Sequence, residues 1–323
     1  MIKIDQTSSA EQHSDQSFVI MYHYVQDIDK QRFPNFHARS NLEFDTQIEY
    51  LDENFQIVPV VDVASQSNKK VVLTFDDGLK DHYKNVFPKL VKKNLLGQFF
   101  VSSAPLLKSI VLDVHKIQLL LASQNIDYLF KQLQDRIKGV SLLEKVNEDL
   151  FEDEKNRFDD IKVSNFKRLL QRDLPREVRN QVVSSIFEYY FPGEESTISN
   201  QLYMSISELQ EMKKVGMLIG NHTESHPWLS CLEIEEALRE VENCEKLLID
   251  LDLVTIDEKY IAYPYGDITT DLCNELDKRG YQIGYTTQPT YLNRNELNPL
   301  MVPRLDTNDL PYNSGELKFN ELR

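Results

Sequence analysis

Val71-Val72-Leu73-Thr74-Phe75-Asp76-Asp77-Gly78 opens with four apolar or β-branched residues, Val71 to Thr74, the pattern of a buried strand. Two adjacent carboxylates follow at its C-terminal end, then a glycine able to turn the chain. Neighbouring side chains of a strand point to opposite faces, but a turn at Gly78 swings both carboxylates toward one pocket. Two anions so close are costly unless a cation or a shared proton separates their roles. A metal does this if one aspartate ligates it and the other stays free as a base. Taken alone, the stretch reads equally well as a strand-ending turn with two solvated acids, since Asp and Gly are turn formers.

A second stretch, Asn221-His222-Thr223-Glu224-Ser225-His226-Pro227, follows another strand-like run, Val215 to Gly220. Its two histidines lie four apart, and a helical turn at that spacing brings both imidazoles to one side. Two histidines and one carboxylate make three protein ligands and leave a coordination position open for water or substrate. A lone pair of histidines is as readily a solvated turn. Both motifs at strand ends in one chain are much harder to attribute to chance.

Thr74-Phe75-Asp76-Asp77-Gly78 together with His222-Thr223-Glu224-Ser225-His226 resembles the polysaccharide deacetylases of the NodB-homology type, and Ile261-Ala262-Tyr263-Pro264-Tyr265-Gly266 is similar to that family's third motif. The resemblance covers residues 18–105 and 200–306. It implies an α/β fold, a distorted (β/α) barrel, and metal-assisted hydrolysis of an N-acetyl group on an amino sugar. Asp77, His222 and His226 would hold a divalent metal, zinc by ligand type, with Co2+, Ni2+ or Fe2+ as alternatives. Asp76 would be the general base, and the backbone N–H of Tyr265 would stabilise the oxyanion. The chain has no histidine after His226, where typical members place the general acid. Tyr22-His23 resembles the first motif of the circularly permuted poly-N-acetylglucosamine deacetylases, so His23 takes the acid role; otherwise it is a core or capping histidine. Many relatives orient the base with an arginine in the third motif, where Ala262 and Tyr263 stand here. Arg304 is the candidate substitute, or else part of a surface salt bridge. His82 and Pro264 are candidate substrate contacts beside Tyr265. His37, Asp113 and His115 are further pocket candidates, and Asp306 a candidate to orient an active-site histidine.

The whole chain sets bounds on these readings. Its 323 residues, 41% of them hydrophobic, suffice for one large barrel with a sizeable core. A formal net charge of −16 argues against nucleic acid or an anionic membrane as partner. The three cysteines, Cys231, Cys244 and Cys273, lack metal-type spacing and read as reduced thiols. Residues 1–16 read as a flexible polar tail without a secretory h-region, and no run reaches the length of a membrane span. If the chain is complete at its start, these features lead to the expectation of a cytoplasmic protein that meets a soluble or lipid-linked sugar. The barrel is expected over 17–105 and 201–323. Residues 106–200 break the strand–helix alternation and read as a helical insertion, with helices at 114–122, 126–138, 142–151 and 176–190. This insertion is either a lid or substrate-selecting wall, or a scaffold and homodimer surface. Two other functions remain open from sequence. One is another amide hydrolase on the same scaffold, such as a deformylase or a cyclic imide or ureide hydrolase. The other is a non-catalytic carbohydrate-binding protein.

Overall fold

The structure, a computed structural model, describes residues 17–28, 36–59, 69–137, 161–293 and 297–310. The expected tail at 1–16 and helix at 142–151 lie outside these residues. Eight strands occur among the described residues: β1 (Phe18–Tyr22), β2 (Gln56–Ile57), β3 (Lys70–Phe75), β4 (Gln98–Val101), β5 (Leu218–Asn221), β6 (Tyr260–Ala262), β7 (Ile283–Tyr285) and β8 (Leu305–Asp306). All pair in parallel, in the order β7-β6-β5-β4-β3-β1-β8, with β2 alongside β3. Parallel strands need crossovers and are covered on both faces; β3 is accordingly buried at all six positions. Its Phe75 ring stacks on Phe99 at 4.7 Å and on Tyr22 at 5.2 Å.

The sheet curls into a distorted barrel. Val302 bridges to Tyr285 of β7, while Leu305 pairs with Ile20 of β1. The Val302 N–H donates to the Gly284 carbonyl at 2.8 Å, and the Val302 carbonyl accepts from Thr286 N–H at 2.9 Å. Residues 302–306 therefore lean on the two far edges of the sheet at once. The first strand in sequence lies between β3 and the last strand, which is the permuted order that Tyr22-His23 implied. The last described strand is short, Leu305–Asp306, and is preceded by a 3-10 turn at Pro299–Met301.

Helices complete the crossovers. α1 (Asn41–Asn54) begins with a reciprocal capping box between Ser40 and Glu43. The segment after Gly78 is not one α-helix: His82–Val86 is a π-helical turn leading into α2 (Phe87–Lys92). Pro88 lies at the junction, where it lacks an N–H and its ring would clash with the carbonyl four residues back. Then come α3 (Ser103–Lys108), α4 (Asp113–Ser123), α5 (Ile126–Ile137), α6 (Ile161–Arg168), a π-helical turn at Leu169–Asp173, α7 (Arg176–Tyr190) and α8 (Glu195–Leu202). Ile117, Leu120, Leu133, Phe166, Val183 and Phe187 of these helices share a core of their own. α9 (Ile206–Lys214) starts at a reciprocal capping box between Ser205 and Glu208. α10 (Ile234–Asp250) buries the stripe Ala237, Val241, Cys244 and Leu248, and α11 (Thr270–Lys278) precedes β7. The three cysteines are unpaired. No helix among the described residues is long and apolar enough to cross a membrane.

Candidate active site

Register gathers the motif residues at one end of the sheet. The β1–β3 pairing ends at Tyr22 opposite Phe75, so His23 and Asp76 emerge side by side. The β4–β5 pairing ends at Val101 opposite Asn221, and His222 follows immediately. At Asp77 and Gly78 the backbone is left-handed, with φ of 73° and 65°. Gly78 has a second reason to be glycine, since a Cβ there would lie 2.9 Å from Val101 Cγ1. This turn brings Asp77 round to the histidines.

The His222–His226 segment is not the helical turn expected from its spacing. Side chains that bond the backbone displace helical bonds there. Asn221 Oδ1 accepts from Thr223 N–H at 2.7 Å, Thr223 Oγ1 accepts from His226 N–H at 3.1 Å, and Glu240 Oε2 accepts from Ser225 N–H at 2.8 Å. Thr223 and His226 are held at φ of 64° and 60°. Such conformations cost energy in non-glycine residues and tend to gather at functional sites.

Both imidazoles nevertheless meet the same carboxylate. Asp77 Oδ1 lies 3.2 Å from His222 Nε2 and 3.4 Å from His226 Nε2. His222 Nδ1 donates to the Ala262 carbonyl at 2.6 Å; burial disfavours charge on the ring, but the adjoining Asp77 carboxylate and the charge of Asp76 outweigh it and raise the His222 pKa. Burial, with His222 close by, pushes the His226 pKa down to about 3, leaving a neutral imidazole. Asp77 Oδ1 and His222 Nε2 are buried and have no hydrogen-bond partner. At this distance the two atoms attract only with a cation between them, a proton on His222 Nε2 or a metal ion in its place. One candidate ligand atom from each of Asp77, His222 and His226 falls within a 4.8 Å set, so the trio can hold a divalent metal.

Asp76 is 2% exposed and Arg304 1%. The guanidinium grips the carboxylate with both arms: Nη1 donates to Oδ1 at 2.8 Å and Nη2 to Oδ2 at 2.7 Å. Arg304 is aimed in turn by its Nε bond to the Thr286 carbonyl and an Nη1 bond to Thr74 Oγ1. Burial alone would raise the Asp76 pKa; Arg304, with His222 and His23 behind it, outweighs burial and holds the carboxyl below its usual range. Asp77 lies lower still, as His115 foremost, then His222 and His23, overcome its burial.

His23 Nε2 lies 3.9 Å from Asp77 Oδ2, with its side chain 38% exposed. Its backbone is pinned from below: Asp81 Oδ2 accepts from Val25 N–H at 2.8 Å, and His82 Nε2 donates to the His23 carbonyl at 2.7 Å. His82 is therefore corrected as a substrate contact. It is fully buried between Phe75 and Phe99, because the π-helical turn rotates it inward. Pro264 is buried too and shapes the turn that sets Tyr265 at φ 59°. Asp306 orients no histidine: its Oδ1 accepts from Asn308 N–H at 2.8 Å and caps the turn after β8. His37 is exposed at the surface.

His115, a pocket candidate from the sequence, and Trp228, which the sequence reading did not single out, also contribute. His115, on α4, donates from Nε2 to Asp77 Oδ2 at 3.1 Å, and its Nδ1 accepts from the Tyr203 hydroxyl at 2.6 Å. The helical segment thus grips the oxygen of Asp77 that the two other histidines leave free. Trp228 stacks on Tyr265 at 4.5 Å and 8°, and Tyr265 meets the His226 ring edge-on at 4.7 Å. It is the chain's single tryptophan and stands two residues past His226, which was the available signal.

Residues 173–284 match the profile of the polysaccharide deacetylase family; the match takes in His222, His226 and Tyr265. YxkH of Bacillus subtilis, provisionally named a polysaccharide deacetylase, is 28% identical over 102 residues, 31% of this chain and 35% of that relative's length. The fold is similar to the Streptococcus pyogenes deacetylase PplD solved with acetate, with a TM-score of 0.56, 17% identity, and coverage of 90% of this chain and 92% of that one. IcaB from Ammonifex degensii gives a TM-score of 0.54 at 17% identity, over 90% and 91% of the two chains. A polysaccharide deacetylase from Bacillus cereus gives 0.51 at 18% identity, over 90% and 65%. Residues 173–284 are thus similar to the polysaccharide deacetylase family, and the chain shares its curled parallel fold with deacetylases of known structure.

Proposed function

We propose that the protein removes an N-acetyl group from an amino sugar of a glycan, glycolipid or sugar precursor, with a divalent metal, zinc by donor type, at Asp77, His222 and His226. The observation that carries this reading is the pairing of two unlike carboxylates. Asp77 presents a partnerless oxygen to two imidazoles, while its neighbour Asp76 is locked and kept ionised by Arg304.

The bound cation would polarise the acetyl carbonyl and make the attacking water more acidic. Asp76 accepts the proton of that water, and Arg304 keeps it in the form able to do so. The Tyr265 N–H meets the oxygen on which negative charge develops; one such donor contributes about 3–4 kcal/mol. His23, pinned by Asp81 and His82 on the open side of the site, delivers a proton to the leaving amine, which is a poor leaving group without one. The Trp228–Tyr265 stack gives the sugar ring an aromatic wall.

The test is acetate release from free, nucleotide-linked, lipid-linked and oligomeric N-acetyl sugars, with added zinc or cobalt and with chelator. Acetate that disappears with chelator and in Asp76→Asn is the expected result. Formate or a ring-opened acid would transfer the chemistry to another amide hydrolase. Sugar binding with no product from the metal-loaded protein would leave a carbohydrate-binding protein.

A further inference from the structure

A cavity of ≈ 390 Å³ opens beside the site, with His226 and Tyr265 on one side. Its size is near the lower end for ligand pockets. Its other walls come from the helical segment: Asp113 and Lys116 from α4, Arg176 and Arg179 from α7. Residues three and four apart share a helix face, so α7 turns one face, 176, 179 and 180, into the cavity.

The charges of that lining do not cancel locally. Lys116 is engaged by Glu195 at 2.9 Å and Asp113 at 3.7 Å. Arg176 is clamped by Glu236 and by Glu240. Arg179 is different. It is 7% exposed, its Nη1 donates to the Gln171 carbonyl, and it has no carboxylate within ion-pair distance among the described residues. Burial lowers its pKa, with Arg176 adding to the effect, and the more distant Asp113 carboxylate across the same cavity offsets only part of it. A buried cation without a counter-ion is unfavourable, and this one lines the cavity that Tyr265 and His226 close. A guanidinium fork fits two oxygens of one phosphate or carboxylate.

We infer that Arg179 receives an anionic substituent of the substrate, a phosphate or carboxylate carried by the amino sugar, which fills the cavity beside the metal site. This rests on the deacetylase reading for the position of the acetyl group. It adds that the sugar enters through the wall built by the helical segment, and that a neutral N-acetyl sugar leaves Arg179 unanswered.

The experiment is calorimetric titration of the metal-loaded full chain, held from turnover by Asp76→Asn. The probes are N-acetylglucosamine, N-acetylglucosamine 1-phosphate and N-acetylmuramic acid. At least one anionic probe should bind more than about tenfold tighter than the neutral sugar, the size of a charged hydrogen bond. Arg179→Gln should abolish that advantage and leave the neutral sugar's affinity as it was; Arg179→Lys should keep part of it. Whichever anionic probe wins names the substituent. Equal affinities for all three probes, no binding by any, or an advantage that survives Arg179→Gln would overturn the inference. Acetate release is read separately on the unsubstituted chain. Arg179-dependent binding without acetate removes the deacetylase reading alone, and acetate released equally well from neutral and anionic sugars removes the Arg179 inference alone.

Discussion

Arg304→Gln should be the most informative single substitution. The pair it breaks is almost wholly buried, with side chains 0% and 2% exposed. Two charge-assisted bonds at 2.8 and 2.7 Å are lost, each contributing about 1.5–3 kcal/mol. The sum agrees with the roughly 3–5 kcal/mol typical of removing one partner of a buried ion pair. Asp76→Asn should cost a similar amount, because it strands Arg304. The double variant should cost much less than the two together, with a coupling on the order of 2–3 kcal/mol. The sign with pH follows from the carboxyl. With Arg304 present, the folded-state pKa of Asp76 lies below its unfolded value. The resulting stabilisation is present above the unfolded pKa and is lost as pH falls through the folded one. Without Arg304, burial dominates, the folded pKa rises above the unfolded value, and the fold loses stability as pH climbs. The gap between parent and Arg304→Gln should therefore widen from about pH 3 to about pH 7. Urea denaturation across that range, combined with the double-variant cycle, measures both effects. Additive single-variant losses, within about 0.5 kcal/mol, or a gap that does not change with pH, would refute the account of Asp76 as a carboxylate kept charged by Arg304.

Two further substitutions probe the surroundings of the trio. His115→Ala should weaken zinc binding by about 10- to 100-fold, the usual cost of losing a group that orients a ligand; competition with a chromophoric chelator measures it, and unchanged affinity would remove His115 from the support of Asp77. His82→Ala should lower stability by about 2–5 kcal/mol as a large-to-small change among Phe75 and Phe99, and leave KM near that of the parent. A sharp rise in KM at intact stability would put His82 back in the substrate pocket.

The clustering of Asp77, His222 and His226 was legible in the sequence because each belongs to a short motif at the end of a strand, where local spacing carries the information. Asp76 was legible for the same reason. Arg304 was no more than a candidate, since its partner lies 228 residues away and nothing local distinguishes a guanidinium bound to Asp76 from one at the surface. His82 was misjudged because nearness to the carboxylates in sequence suggested the pocket, whereas the π-helical turn ahead of Pro88 points it into the core. The helical turn expected at His222–His226 failed because Asn221, Thr223 and Glu240 offered backbone N–H groups better acceptors than a helix would. Arg179 left no trace at all: its isolation from carboxylates is a property of how the helices of residues 103–202 pack, and a run rich in Lys, Glu and Asp does not reveal which charges remain unmatched.

Residues 302–306 bear on how the molecule is made. On the ribosome, β1 and β3 emerge early and can pair, yet the guanidinium that answers Asp76 arrives only with the final strand. Until then Asp76 faces burial without its counter-charge, and β1 and β7 both present open edges able to pair with another chain. Contacts so distant in sequence form late. A chain ending before residue 302 would thus leave both sheet edges open and Asp76 without its counter-charge, so closing the sheet and completing the Asp76–Arg304 pair are one and the same step.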